Sequence, residues 1–77
     1  MKDTLSLIMS SIVENPDDVR IEETQEDGIV SLVVHVNPSD MGRVIGKNGK
    51  IIRAIRNVMK IPAIKQNKRV DINISEE

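Results

Sequence analysis

The residues best suited to hold a charged ligand form one short stretch, Val44-Ile45-Gly46-Lys47-Asn48-Gly49-Lys50-Ile51-Ile52. The two glycines lack a Cβ, so they permit left-handed backbone angles and let another chain approach the main chain closely. Between them, Lys47 and Asn48 offer side-chain donors, and the amides at the start of a following helix attract anions. The spacing therefore predicts a backbone clamp for the phosphates of a nucleic acid.

Two other phosphate-binding loops do not fit this stretch. The nucleotide P-loop has four residues between its glycines, whereas Gly42 and Gly46 enclose three, and Asn48 stands where a hydroxyl would ligate magnesium. The dinucleotide fingerprint needs Gly-x-Gly, a spacing that the chain lacks. A glycine turn with solvated polar tips stays open as the simplest alternative.

Two helices are predicted to hold the loop. A short apolar helix covers Met41 to Ile45, with Ser39 or Asp40 as its N-cap. A longer amphipathic helix runs from about Lys50 to Lys60, and Pro62 is expected to close it. The 61–68 segment then reads as a basic connection.

The remaining segments supply one more helix and three strands. Apolar residues recur at helical spacing over 5–12, after a cap at Asp3 or Thr4. Alternating residues predict strands over 18–24, 29–36 and 70–75, and Asp27-Gly28 predicts the turn between the first two. The predicted order of elements is α-β-β-α-α-β.

Length and composition narrow the classes of function. The 77 residues allow one domain, and the absence of cysteine excludes disulfides, thiolate chemistry and cysteine metal sites. No nucleophile, base and metal set can be assembled, so neither an enzyme nor a cofactor site is expected. The apolar N-terminal stretch is short and broken by serines, unlike a signal peptide or a membrane span, so a cytoplasmic location is expected.

The formal net charge of −1 hides a strong division along the chain. Residues 1–40 hold two basic and nine acidic side chains, whereas residues 41–70 hold nine basic and no acidic ones. Such asymmetry between halves points to a polyanionic partner. With no acidic neighbours in sequence, these cations are expected to be free for that partner.

The run from Gly42 to Ile55 resembles the core of the KH domain, whose pattern V-I-G-x-x-G-x-x-I is met by Val44, Ile45, Gly46, Gly49 and Ile52. The element order is similar to the prokaryotic, type II KH arrangement. That resemblance implies an α+β fold in which a three-stranded sheet carries the helices on one face. In size and motif, residues 1–77 look like one domain of the small bacterial single-KH family of KhpA proteins, with its core motif at 41–60.

The resemblance also implies a site and its partners. KH modules clamp about four single-stranded nucleotides at this loop. Carried over to this chain, the RNA-binding residues are those of the loop, of the adjacent apolar groove and of the flanking basic positions: Gly46, Lys47, Asn48, Gly49, Lys50, Val44, Ile45, Ile52, Arg43 and Arg53. The family further implies an RNA chaperone or post-transcriptional regulator, a homodimer and a larger KH-containing RNA-binding partner. Neither a metal nor a membrane contact is implied.

Two rival functions remain open. One is an adaptor that binds protein, with nucleic-acid binding as an accessory property, and the other is a binder of single-stranded DNA. The chain contains no Phe, Tyr or Trp, so it lacks the aromatic side chains on which bases stack for about 1 to 3 kcal/mol each. Modest affinity per domain is therefore expected.

Overall fold

The computed structural model describes residues 1–76. Its helices are α1 (Lys2–Ile12), α2 (Met41–Ile45) and α3 (Lys50–Lys65), and its strands are β1 (Arg20–Glu26), β2 (Ile29–Val36) and β3 (Arg69–Glu76). Short 3₁₀ turns occupy Pro16–Asp18, Pro38–Asp40 and Lys47–Gly49. The α-β-β-α-α-β order and the α+β class are thus confirmed.

The three strands form one mixed sheet in the order β1-β2-β3. The strands β1 and β2 are antiparallel, and Glu26 lies opposite Ile29, so only Asp27 and Gly28 form the turn. Both turn residues have positive φ, at 51° and 78°, as the tight hairpin turns that match strand twist require. The strand β3 pairs in parallel with β2 and leaves its other edge beside α3.

The core lies between the sheet and the three helices. The alternating residues of β2 all point into it, since Val30, Leu32, Val34 and Val36 have no exposed surface. The helices supply the opposite side of the core with Leu5, Met9, Val44, Ile52, Ile55 and Met59. The helices therefore pack on one face of the sheet, as expected from the type II arrangement.

The predicted end of the long helix is wrong, because α3 continues through Pro62 to Lys65. The buried residues Ile52, Ile55, Met59 and Ala63 follow one another at helical spacing. Burial of Ala63 on the same face as Met59 extends this stripe by one turn, and Pro62 loses only one helical hydrogen bond near the C-terminus. The burial of Ala63 therefore outweighs the tendency of Pro62 to end a helix.

Two predicted details at element ends also differ. The helix α1 starts at Lys2 with Met1 at its N-cap and without a side-chain cap, so the cap at Asp3 or Thr4 is wrong. The strand β1 lies two residues later than predicted, at Arg20–Glu26, because Pro16–Asp18 forms a 3₁₀ turn before it. Neither difference moves the glycine loop.

Candidate nucleic-acid interface

The loop Gly46-Lys47-Asn48-Gly49, hereafter the GKNG loop, joins α2 to α3 through an unusual backbone path. Gly46 has φ 76° and ψ 170°, a region that only glycine adopts readily. Asn48 and Gly49 follow in the left-handed region, at φ 57° and φ 72°. The positive φ predicted at both glycines is therefore present.

This path leaves two amides of the loop without an internal acceptor. The N–H of Gly49 donates to the carbonyl of Gly46 at 3.1 Å, and the N–H of Lys50 donates to the carbonyl of Lys47. The amides of Lys47 and Asn48 have no acceptor among the residues that the structure describes. Both residues are exposed, and backbone amides without a protein acceptor in a turn of this kind favour anions.

Two contacts hold the loop in this shape. The side chain of Ile51 covers Gly46 so closely that a Cβ on the glycine would lie 2.6 Å from Ile51 Cγ1. From the other side, Arg53 Nη2 donates to the carbonyl oxygen of Asn48. The loop is thus fixed by its own helix before any ligand arrives.

The predicted basic residues of the site divide into free and engaged groups. Lys47 and Lys50 are exposed, and no carboxylate in the described part of the chain lies within ion-pair distance of them. Arg53 is exposed, but its Nη2 donates to the carbonyl oxygen of Asn48. Arg43 pairs with Glu14 and lies 3.7 Å from Asp40, so the expectation that every cation of this half is unpaired is wrong for Arg43.

The buried carboxylate of Asp40 joins the start of α2 to the segment after α1. Its oxygens accept from the backbone N–H of Glu14 at 3.0 Å and from the backbone and side-chain nitrogens of Asn15, both at 3.1 Å. Asp40 stands at the N-cap position of α2 but makes no side-chain cap bond. The predicted cap is therefore replaced by a tertiary contact, which fixes the direction in which α2 leads to the GKNG loop.

This contact makes stability depend on pH. The backbone N–H of Glu14 holds the pKa of the Asp40 carboxyl below its ordinary value, helped by Asn15 and by the charge of Arg43 and opposed by burial. A lowered pKa in the folded state contributes stability that is present above the unfolded-state value and is lost as the pH falls through the folded one.

We expect Asp40→Asn to lower the melting temperature at pH 7, because the amide offers one acceptor oxygen instead of two and carries no charge. The variant should also lose less of its stability than the parent between pH 5 and pH 2. Circular-dichroism melts across this range measure both effects. Asp17→Asn, at an exposed carboxylate, is the control, and a similar pH profile for Asp40→Asn and the parent would contradict the role of Asp40.

A groove of about 480 Å³ runs beside the loop between α3 and the outer edge of β3. Its walls are polar at α3 and mixed at β3, and they consist of Arg53, Arg56, Asn57, Lys60, Val70, Asp71, Ile72 and Asn73. Arg56 donates twice to the carbonyl oxygen of Ile72, at 3.2 and 3.0 Å, so it fixes the width of the groove. We call this the inner groove.

The sequence predicts a groove walled by apolar residues of both helices and of the last strand, namely Val44, Ile45, Ile52, Val70 and Ile72, and the inner groove matches this prediction at Val70 and Ile72 only. Val44 is fully buried and Ile52 is 7% exposed, so both belong to the core and neither wall of the groove includes them. Ile45 is half-buried beside the loop. The cationic groove residues that sequence reasoning missed are Arg56 and Lys60. Arg56 follows Arg53 by three residues and Lys60 follows Arg56 by four, which places all three on one stripe of α3.

No helix within residues 1–76 is long and apolar enough to cross a membrane. Within the same residues, no group of three or more carboxylate and imidazole side chains lies close enough together to hold a metal ion.

The fold and the site define a class of protein. A three-stranded mixed sheet carries its helices on one face, and the GKNG loop joins the two helices of the V-I-G-x-x-G-x-x-I pattern. These are the features of a type II KH domain.

Comparison with known proteins identifies the family of the chain. Residues 2–74 match the KH domain of KhpA/KhpB. The chain is 45% identical over 74 residues to the RNA-binding protein KhpA of Clostridium perfringens, and this covers 96% of the chain and 99% of that relative. It is 46% identical to the KhpA of Clostridium acetobutylicum over the same shares, and 39% identical to that of Halalkalibacterium halodurans over 96% and 97%. The chain belongs to the KhpA/KhpB KH-domain family.

Proposed function

We propose that this chain is an RNA-binding protein without enzymatic activity, which clamps short single-stranded RNA segments at the GKNG loop. The observation that carries the proposal is the pair of amides at Lys47 and Asn48, which have no acceptor within the described residues and belong to exposed residues in a turn that Gly46 and Gly49 permit. Relatives that span nearly the same length are named RNA-binding proteins. We further propose that residues 1–77 act as one KH domain with its core motif at 41–60.

In this proposal the loop binds phosphate and the inner groove receives the bases. The amides of Lys47 and Asn48 donate to one phosphodiester, while the side chains of Lys47 and Lys50 add charge on either side of it. Arg53 keeps the loop in shape through the carbonyl of Asn48. Val70 lies in the groove wall and is half-buried, so it offers apolar surface to a base without selecting its identity.

Affinity for one such segment should be modest, because the chain has no aromatic side chain to stack against a base. Linking two weak sites raises the apparent affinity. We therefore propose that the chain acts as a homodimer or with a larger KH-containing RNA-binding protein. The apolar residues that α3 leaves exposed, Val58, Ile61 and Ile64, form a stripe suited to a second copy.

The proposed biological role follows from weak binding to short segments of many RNAs. Such a protein suits an RNA chaperone or a post-transcriptional regulator in the bacterial cytoplasm. Single-stranded DNA offers the same phosphates and bases, and the described contacts include none reserved for a 2′-hydroxyl. An adaptor that binds protein alone would leave the amides of Lys47 and Asn48 without a use.

Titration of the ¹⁵N-labelled chain with unstructured oligonucleotides tests the proposal. We expect the amide resonances of residues 46–49 to shift most upon addition of a short oligouridylate, followed by those of Arg53 and Ile72. The matching oligodeoxythymidylate measures the preference for RNA. The proposal fails if these resonances stay in place, and a chain that shows no shift with either oligonucleotide would favour the protein adaptor.

A further inference from the structure

The inner groove does not end at Lys60 and Val70. A second groove of about 310 Å³ continues it toward the connection between α3 and β3, and its lining includes Ala63, Ile64, Lys68 and Arg69. Lys60, Val70 and Asp71 line both grooves. We call this continuation the outer groove, and together the two form one channel along α3.

Cations border the channel throughout its length. Arg53, Arg56 and Lys60 lie on one stripe of α3, and Arg69 follows at the start of β3. Arg53 and Arg56 are engaged with backbone carbonyls, and Lys68 donates to Gln25. The side chains of Lys60 and Arg69 have no hydrogen-bond or ion-pair partner within the described residues, and both are exposed. The free positive charge therefore lies in the outer half.

We propose that the outer groove is a second phosphate-binding segment, so that one chain binds about six nucleotides of single-stranded RNA instead of four. This inference rests on the proposed function, because it extends the strand that the GKNG loop holds. The outer groove extends along α3 from Lys60 to Ile64, and four residues cover about 6 Å along a helix. At about 3.4 Å per stacked nucleotide, that distance adds about two nucleotides to the four that a KH loop clamps.

The single carboxylate that lines the channel indicates which wall the phosphates of the RNA avoid. Asp71 on β3 lines both grooves and repels phosphate from the strand side. Along the inner groove the backbone of the RNA therefore follows the cationic stripe of α3, and in the outer groove it reaches Arg69, two residues before Asp71 at the start of β3. With only Lys60 and Arg69 free, the outer segment contributes two phosphate contacts.

Salt dependence tests this inference better than affinity does. An octamer binds with higher apparent affinity even to a four-nucleotide site, because that site can be occupied in about five positions along the octamer. The number of such positions does not change how the affinity depends on salt concentration. Two more phosphate contacts add about 1.4 to the slope of log K against log salt concentration, at about 0.7 each. We therefore expect octauridylate to show a steeper slope than tetrauridylate by about that amount, measured by fluorescence anisotropy.

The variant Lys60→Ala/Arg69→Ala should abolish this difference between octamer and tetramer slopes. Its matched control is Lys65→Ala/Arg20→Ala, which removes one Lys and one Arg that are exposed and line neither groove, and it should keep the difference. Circular-dichroism melts of both variants check that each is folded. If one double variant does not fold, Lys60→Gln and Arg69→Gln tested singly should each remove about half of the difference.

The possible outcomes separate the inference from the proposed function. Equal slopes for the two oligonucleotides in the parent protein, with tetramer binding retained, would overturn the second segment and leave the loop assignment intact. So would an unchanged slope difference in Lys60→Ala/Arg69→Ala. Sedimentation velocity should count one chain for each octamer, and two chains on one octamer would also overturn the inference. Loss of all binding by both oligonucleotides would remove the proposed function as well.

Discussion

Replacing Lys47 and Asn48 together by Asp should weaken binding to single-stranded RNA by about 100-fold or more while leaving the thermal melt nearly unchanged. Both side chains are exposed, and neither makes a side-chain hydrogen bond within the described residues, so the fold loses little. The loss for RNA is large because two carboxylates would stand beside the amides that receive phosphate. Each charge-assisted hydrogen bond removed costs about 1.5 to 3 kcal/mol, and repulsion adds to this.

The measurement is anisotropy with tetrauridylate at low salt, where contacts to phosphate are strongest. A matched control is Lys65→Asp/Gln66→Asp, which makes the same exchange of a lysine and a neighbouring amide at the exposed C-terminal end of α3. The control should bind nearly as the parent does. Parental affinity of Lys47→Asp/Asn48→Asp would show that the loop has no role in binding. An equal loss in the control would show that general charge accounts for binding.

Much of the fold could be predicted from the sequence because it depends on local patterns. The alternation of Val30, Leu32, Val34 and Val36 identified both β2 and its buried face. Gly46 and Gly49 marked the break between two helices. Both have positive φ, which glycine adopts readily because it lacks a Cβ. Where one face of an element must be buried, the periodicity of its residues carries the necessary information.

What the sequence did not predict depends on contacts between distant segments. The partner of Arg43 is Glu14, and Asp40 accepts from the same segment after α1. No spacing rule relates positions so far apart. The end of α3 was misjudged for a similar reason, because the local effect of Pro62 is visible in the sequence, whereas the burial of Ala63 against the core is not.

The polar side of the inner groove could not be predicted either, because it too depends on contacts between segments that are distant in sequence. The residues Val44 and Ile52 fit an apolar groove by type, but the structure uses both in the core. The stripe of Arg53, Arg56 and Lys60 on α3 was a readable signal, since its spacing of three and four residues already places these cations on one side of the helix. What faces that stripe, the outer edge of β3, is known only from the structure.

The second large effect is expected on stability, at Gly46. Gly46→Ala should destabilise the fold by about 3 kcal/mol or more, which approaches the whole net stability that a domain of this size has. The backbone contributes about 1 to 3 kcal/mol, since φ 76° with ψ 170° is unfavourable for any residue with a Cβ. Overlap contributes a similar amount, since the new Cβ would lie 2.6 Å from Ile51 Cγ1 and 2.9 Å from its Cδ1.

Gly49→Ala is the control that separates these two causes. Gly49 also has positive φ, at 72°, but a Cβ there would find no atom nearer than 3.9 Å. This variant should therefore lose only the cost of a left-handed residue, about 1 to 2 kcal/mol. Urea denaturation of both variants measures the difference, and equal losses would show that Ile51 does not pack against the loop as described.

A double-mutant cycle then isolates the overlap. Trimming Ile51 to Ala removes the two side-chain atoms nearest to the added Cβ, so Gly46→Ala should cost less in that background than in the parent, by about 1 kcal/mol or more. The backbone part of the loss should persist, because the conformation of Gly46 is set by the path from α2 to α3. If trimming Ile51 restored nothing, steric overlap would play no part, and the requirement for glycine would lie in the backbone alone.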